Sequence, residues 1–314
     1  MRVKITVRKF NPEIDLKPAP RDYFVEAGRG MTLLSALLKI KSEIDGTLTF
    51  RASCRAAICG SCLMQVNGNQ KLACRVNLKE EFEHHGKVEV GPMANMPVIK
   101  DMVVRMDPFW EKIRAVTPYL LDREGESPVP TEAMRDLHET LHNADGCIMC
   151  GACLSACTSF EVSPGFLGPA ALAKAYRFQA DPRDSAHVER LAALQPADGI
   201  WDCVRCNFCV QVCPKDVQPM EQIVRLRRLS IEKGFSESVE ARHITQFTKV
   251  VGEEGRLNEA RLPVLMTWGK IGKMLRIIPL GIKMFLHGKT PFPFKRVPGV
   301  EAVRAIFKQR EKAK

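Results

Sequence analysis

Twelve cysteines stand in this chain of 314 residues, and each belongs to one of three spaced groups. The first is Cys54-x4-Cys59-x2-Cys62, with Cys74 following after eleven residues. The second is Cys147-x2-Cys150-x2-Cys153-x3-Cys157. The third is Cys203-x2-Cys206-x2-Cys209-x3-Cys213, with Pro214 directly after it. Thiolates that converge on a small volume hold iron–sulfur clusters. The first spacing is that of a [2Fe–2S] site, and the other two are those of paired cubane sites. Three such sites in one chain would conduct electrons.

In paired motifs of this spacing the fourth cysteine of each ligates the other cluster. That rule places Cys147, Cys150, Cys153 and Cys213 on one [4Fe–4S] cluster, and Cys157, Cys203, Cys206 and Cys209 on a second. Cys54, Cys59, Cys62 and Cys74 take the [2Fe–2S] cluster. Ser53, Gly60 and Ser61 are small and allow backbone to approach it. Disulfides compete poorly in a chain of this size with so many close spacings. Zinc suits Cys-x2-Cys pairs, but neither the x4 spacing nor the triple Cys-x2-Cys-x2-Cys run favours it. No residue reads as a catalytic acid, base or nucleophile. No phosphate-binding glycine loop or dinucleotide fingerprint is present, so neither flavin nor nicotinamide is expected on this chain. His84-His85 reads as a solvated turn. The methionines Met93, Met96, Met102 and Met106 read as packing rather than copper ligands, and Trp201 and Phe208 as shielding around the third group.

Two kinds of element must position these thiols. Residues 1 to about 100 read as strands with one helix across them. Val3, Ile5 and Val7 alternate with polar neighbours, Thr32 caps a helix carrying Leu33, Leu34, Leu37 and Leu38, and Asn67-Gly68 turns a hairpin that carries Cys62 and Cys74. From about 100 onward the pattern is helical. Thr131 opens a helix toward Asn143, Pro169 and Pro182 sit in first helical turns with Asp181 capping the second, and a helix from Pro219 stops at Gly234. Pro291 to Phe294 reads as an extended elbow. The expected class is α+β: a β-grasp [2Fe–2S] ferredoxin-like domain at 1–105, an all-α two-cubane domain at 106–250, and a basic amphipathic helical extension at 251–314.

The formal net charge of +11 lies in the tail. Residues 261–314 hold 13 Lys/Arg and 2 Asp/Glu, and the other 260 residues hold 34 of each sign. No run of about 18 apolar residues occurs, so no transmembrane helix is expected. No signal-peptide core opens the chain, which reads as a protein of a reducing compartment. The tail lacks an aromatic stacking platform, so nucleic acid is not an expected partner.

The segments Arg51-Ala-Ser-Cys-Arg-Ala-Ala-Ile-Cys-Gly-Ser-Cys62, Phe166-Leu-Gly-Pro-Ala-Ala-Leu172, Ala175-Tyr-Arg177 and Asp181-Pro-Arg-Asp184 resemble the iron–sulfur subunit of succinate dehydrogenase/fumarate reductase, the complex II family. The resemblance runs to about residue 245. It implies electron transfer between FAD, held only in a partner flavoprotein, and a quinone-reactive membrane-associated partner. The location it implies is peripheral, on the cytoplasmic face of a prokaryotic inner membrane. Three departures stand out. Cys206 occupies a position where relatives carry an apolar residue and a [3Fe–4S] cluster, so the distal site is [4Fe–4S], or [3Fe–4S] without Cys206. Thr158, Val162 and Val204 replace the Pro, Trp and His of the usual quinone pocket. The basic tail extends past the usual end. Together they resemble an atypical branch whose membrane partner is cysteine-rich and related to heterodisulfide reductase. A related wire serving another flavin dehydrogenase, or a heterodisulfide- or thiol-linked fumarate reductase, is the alternative. Ala57 stands where many relatives have Gly.

Overall fold

Alternation at the N-terminus makes a two-faced strand: Val3, Ile5 and Val7 are fully buried between exposed Arg2, Lys4 and Arg8. In the computed structural model, which describes residues 1–121, 136–269, 271–289 and 297–312, this is β1 (Arg2–Lys9). It pairs antiparallel with β2 (Ala19–Glu26), Ile5 facing Tyr23. α1 (Leu33–Glu43) starts where the Thr32 hydroxyl accepts from the Ser35 amide at 3.1 Å, and it buries Leu33, Leu34, Ala36, Leu37 and Ile40. β3 (Leu63–Val66) and β4 (Asn69–Leu72) form the expected hairpin. Asn67 and Gly68 have φ of 47° and 82°, the positive angles that a tight two-residue turn demands. α2 (Leu78–His85) and β5 (Val88–Gly91) follow. The sheet order is β2-β1-β5-β3-β4, with β5 parallel to β1.

His84 and His85 therefore end a helix rather than form a turn, and His85 reaches Glu81 at 3.4 Å. A small ribbon of β6 (Val98–Lys100) and β7 (Val103–Val104) and then α3 (Asp107–Ala115) lead into the helical half.

That half is made of short helices separated by the cysteine loops. They are α4 (Leu137–Leu141), α5 (Ala152–Ser155), α6 (Thr158–Val162), α7 (Gly168–Gln179), α8 (His187–Ala193), α9 (Phe208–Gln211) and α10 (Pro219–Glu232). α7 is the central one, with ten of its twelve residues buried. Pro169 lies in its first turn as expected. Pro182 does not open a helix: Asp181 is fully buried and ion-paired with Arg177 and Arg183, and α8 begins five residues later, at His187. The Asp181 carboxylate still accepts the Arg183 amide at 3.1 Å, but that bond closes a local turn which no helix continues. The expected helix start at Thr131 and the elbow at 291–294 lie outside the described residues.

Residues 1–229 form one compact unit and 230–314 another. The second holds α11 (Val239–Glu254), α12 (Arg261–Thr267), α13 (Ile271–Leu286) and α14 (Val300–Lys312). Within it, α14 rests on α11 where Gly252 leaves room for the Phe307 ring: a Cβ on Gly252 would meet that ring at 2.8 Å.

Candidate metal centres

The first thiol group sits on the loop between α1 and β3, closed by Cys74 just past β4. Arg55, Ala57 and Gly60 have φ of 58°, 55° and 73°. These left-handed residues turn successive amides inward, as in an anion-binding nest. The amides of Ala56, Ile58 and Cys59 donate to the Cys54 sulfur at 3.4, 3.4 and 3.3 Å, and the Ala57 amide donates to the Cys74 sulfur at 3.3 Å. The Ser61 hydroxyl donates to Cys59 at 3.1 Å. Chiefly through that hydrogen bond, and then through amides, the Cys59 thiol is lowered to about 6. Burial pushes its neighbour Cys62 up to about 12. Low pKa marks a thiol ready to ligate as thiolate. Cys54 and Cys59 are exposed, whereas Cys62 is buried.

The second and third groups repeat one backbone design. Met149 and Gly151 have φ of 56° and 85°, and Arg205 and Asn207, 56 residues on, have 56° and 70°. Asn is among the few residues besides Gly that visit this region readily. The thiols then gather across the repeat. Cys150 is raised to about 11 by burial and by the charges of Cys147 and Cys213. Cys209 is raised to about 12 by burial and by Cys203, Cys157 and Cys206. Cys153 is raised by burial, by Cys150 and Cys147, and also by Cys209 of the other set. Cys147, Cys150, Cys153 and Cys213 line one small cavity, and Cys157, Cys203 and Cys206 are the thiols that bear on Cys209.

Among the described residues, no three His, Cys, Asp or Glu side chains close on a position for a single metal ion. Quartets of thiols with amides aimed at their sulfurs fit a larger, anionic iron–sulfide core instead.

Several contacts that hold these loops carry no sequence signal, because they join residues far apart in the chain. A Cβ on Gly60 would meet the Cys150 Cβ at 2.7 Å, so the first loop touches the second group directly. The Asn95 amide donates to the carbonyls of Leu154, Ser155 and Cys157 at 3.0–3.2 Å. Arg227, buried over the Trp201 ring, donates to the carbonyls of Ile200, Trp201 and Cys203. Met93, Met96 and Met106 surround Gly151, which is the packing role expected for the methionine run. Trp201 is buried, but Phe208 is 44 % exposed and shields little. Around the third group Cys206 is exposed, and the Thr158 hydroxyl lies 3.6 Å from its sulfur. Val162 and Val204 are 87 % and 67 % exposed.

Comparison with known proteins agrees with this architecture. A model described as a 2Fe-2S iron-sulfur cluster binding domain matches residues 4–111, and one described as a 4Fe-4S dicluster domain matches 143–217. The fumarate reductase iron-sulfur subunit of Mycobacterium tuberculosis is 40 % identical over 229 residues, covering 72 % of this chain and 92 % of the relative. That of Escherichia coli O157:H7 is 39 % identical over 222 residues, covering 70 % and 90 %. The succinate dehydrogenase iron-sulfur subunit of Paracoccus denitrificans is 38 % identical over 237 residues, covering 72 % and 89 %. A chain of the Mycobacterium smegmatis Sdh1 complex in the apo form shares the fold, with TM-score 0.65 at 22 % identity, over 75 % of this chain and 98 % of its own.

Proposed function

The chain belongs to the family of iron–sulfur subunits of fumarate reductase and succinate dehydrogenase, and on that premise we propose that it relays single electrons between the FAD of a flavoprotein partner and a quinone-reactive, membrane-associated partner. The observation that carries this reading is the sequence of three thiol quartets, the first loop touching the second group at Gly60 and Cys150. Iron–sulfur clusters, when bound, take up and release one electron at a time. Cys54, Cys59, Cys62 and Cys74 would hold a [2Fe–2S] cluster. Cys147, Cys150, Cys153 and Cys213 would hold the medial [4Fe–4S], and Cys157, Cys203, Cys206 and Cys209 the distal one. The chain supplies ligands, inward amides and short separations, and it needs no acid or base of its own.

The surroundings of Cys206 support the atypical membrane partner. Thr158, Val162 and Val204 stand where the resemblance places the Pro, Trp and His of the usual quinone pocket, and the two valines are exposed and offer a quinone headgroup no hydrogen bond. In this reading the chain sits peripherally on the cytoplasmic face of the membrane. No described helix is long and apolar enough to cross one.

Low-temperature EPR of the anaerobically purified complex, with iron counted per chain, tests the assignment. About ten irons per chain and no [3Fe–4S] signal in the oxidised state are expected from three four-cysteine sites. A near-stoichiometric [3Fe–4S] signal would make Cys206 a spectator and remove the support for the atypical partner. The relay itself is tested by Cys150→Ser, which should abolish quinone-linked turnover and spare succinate oxidation by acceptors that draw on the flavin. If both vanish while the flavoprotein stays folded and flavinylated, the relay reading fails.

A further inference from the structure

Within the second unit, α13 carries a face that nothing in the described chain covers. Ile271, Leu275, Ile278, Ile282, Phe285 and Leu286 recur at helical spacing along one side, and each is between 46 % and 75 % exposed. A Cβ on Gly272 or Gly281, on the flanks of this stripe, would meet nothing within 4 Å. Exposed apolar residues in a continuous helical stripe mark a binding face rather than scattered surface.

The charge around that face is one-signed. From Arg261 to Val300 the sequence holds eight Lys/Arg and no Asp or Glu. On α13 itself Arg276 and Lys283 lie together on one flank of the stripe, by the helical period of about 3.6 residues, and Leu280, on the far side, is exposed as well. Trp268, 69 % exposed, stands just before the helix, and tryptophan favours the boundary between water and hydrocarbon. Sixteen residues make a helix about 24 Å long, short of the ~30 Å hydrocarbon core of a bilayer. Such a helix can lie in the plane of the headgroups, with its apolar side down and its cations toward phosphate.

We propose that α13 is an in-plane membrane helix that docks this chain directly on an anionic phospholipid surface. A protein groove could accept the apolar stripe, but it would not account for forty consecutive residues free of acidic side chains. A surface of phosphate headgroups does, since each basic residue near an anionic leaflet adds attraction. The inference stands apart from the electron-relay reading, because it involves none of the cysteine ligands and needs no membrane subunit.

The test is flotation of the full chain, purified anaerobically with its clusters, on vesicles of phosphatidylcholine alone or mixed with phosphatidylglycerol. Binding to the mixed vesicles on the order of tenfold tighter, weakened by salt, is expected. Ile278→Glu with Ile282→Glu should abolish flotation, and Arg276→Gln with Lys283→Gln should reduce the preference for the anionic vesicles. Unchanged far-ultraviolet circular dichroism shows that these variants remain folded, and unchanged iron content that the clusters are kept. A blue shift of tryptophan emission on binding should disappear in Trp268→Phe. The proposal is overturned by no flotation of the unaltered chain, by equal flotation on both vesicles, or by full binding of the double-glutamate variant. It is also overturned if the unaltered chain ignores vesicles while the double-glutamate variant loses its membrane partner, since the face would then meet protein.

Discussion

Ala57 sits in the left-handed region at φ 55° while its amide donates to the Cys74 sulfur. A side chain there costs roughly 1–2 kcal/mol, partly offset in the substitution by the larger unfolded-state entropy of Gly. Ala57→Gly should therefore raise stability by up to about 1 kcal/mol, read by chemical denaturation, and leave the [2Fe–2S] spectrum intact. Gly60 is the opposite case. Its added Cβ would strike Cys150 Cβ at 2.7 Å and Cys150 Cα at 3.0 Å, on a backbone already at φ 73°. Gly60→Ala should destabilise by about 2 kcal/mol and weaken the magnetic interaction between the first two clusters, measurable by EPR. The cysteines were legible in the sequence because ligation demands that residue type at those spacings. Gly60 was legible only as a small residue near a cluster, because its contact lies 90 positions away. Thr158 drew notice as a departure from relatives, but its 3.6 Å approach to Cys206 depends on packing that no local pattern encodes.

Elements followed the periodicity where one face is buried: β1, α1, the β3–β4 hairpin and α10 come close to their expected bounds. Pro182 misled because a proline after an aspartate has two physical uses. Here Asp181 serves an ion-pair network beside a second one. Arg190, 7 % exposed, joins Asp184 and the carbonyls of Thr117 and Tyr119, tying α8 to the segment after α3. Burial would raise the Asp184 carboxyl, but hydrogen bonds from Arg190 and from the Leu121 and Ala186 amides hold it below the usual range. Asp181 is likewise depressed, its burial outweighed by Arg183 and Arg177. Carboxyls depressed in the folded state stabilise above their unfolded value of about 4 and lose that contribution as pH falls through the folded value. Thermal stability of the complex should thus decline from about pH 4 downward, and Asp184→Asn should flatten that decline. The same variant should cost about 3 kcal/mol at neutral pH, because it leaves Arg190 buried without its counter-charge.

At the scale of the whole molecule, charge and cofactor chemistry are separated. The cysteines lie within residues 1–229, and the net charge resides in 261–314. Removal of residues 261–314 should leave iron per chain and all cluster EPR signals unchanged, and a lost signal would show that the tail supports the cluster-bearing unit. The tail's basic composition was plain in the sequence, but the division at 229 was not, because it falls in the last turn of α10, where composition does not change. The interleaving of the second and third cysteine groups has a consequence for biogenesis. Under the proposed ligation, with Cys157 and Cys213 each lent to the opposite set, neither cubane would have a complete ligand shell until both halves of the repeat have been synthesised and brought together. Iron starvation or chelation should then empty the two sites in a single step, so that partly loaded wires do not accumulate.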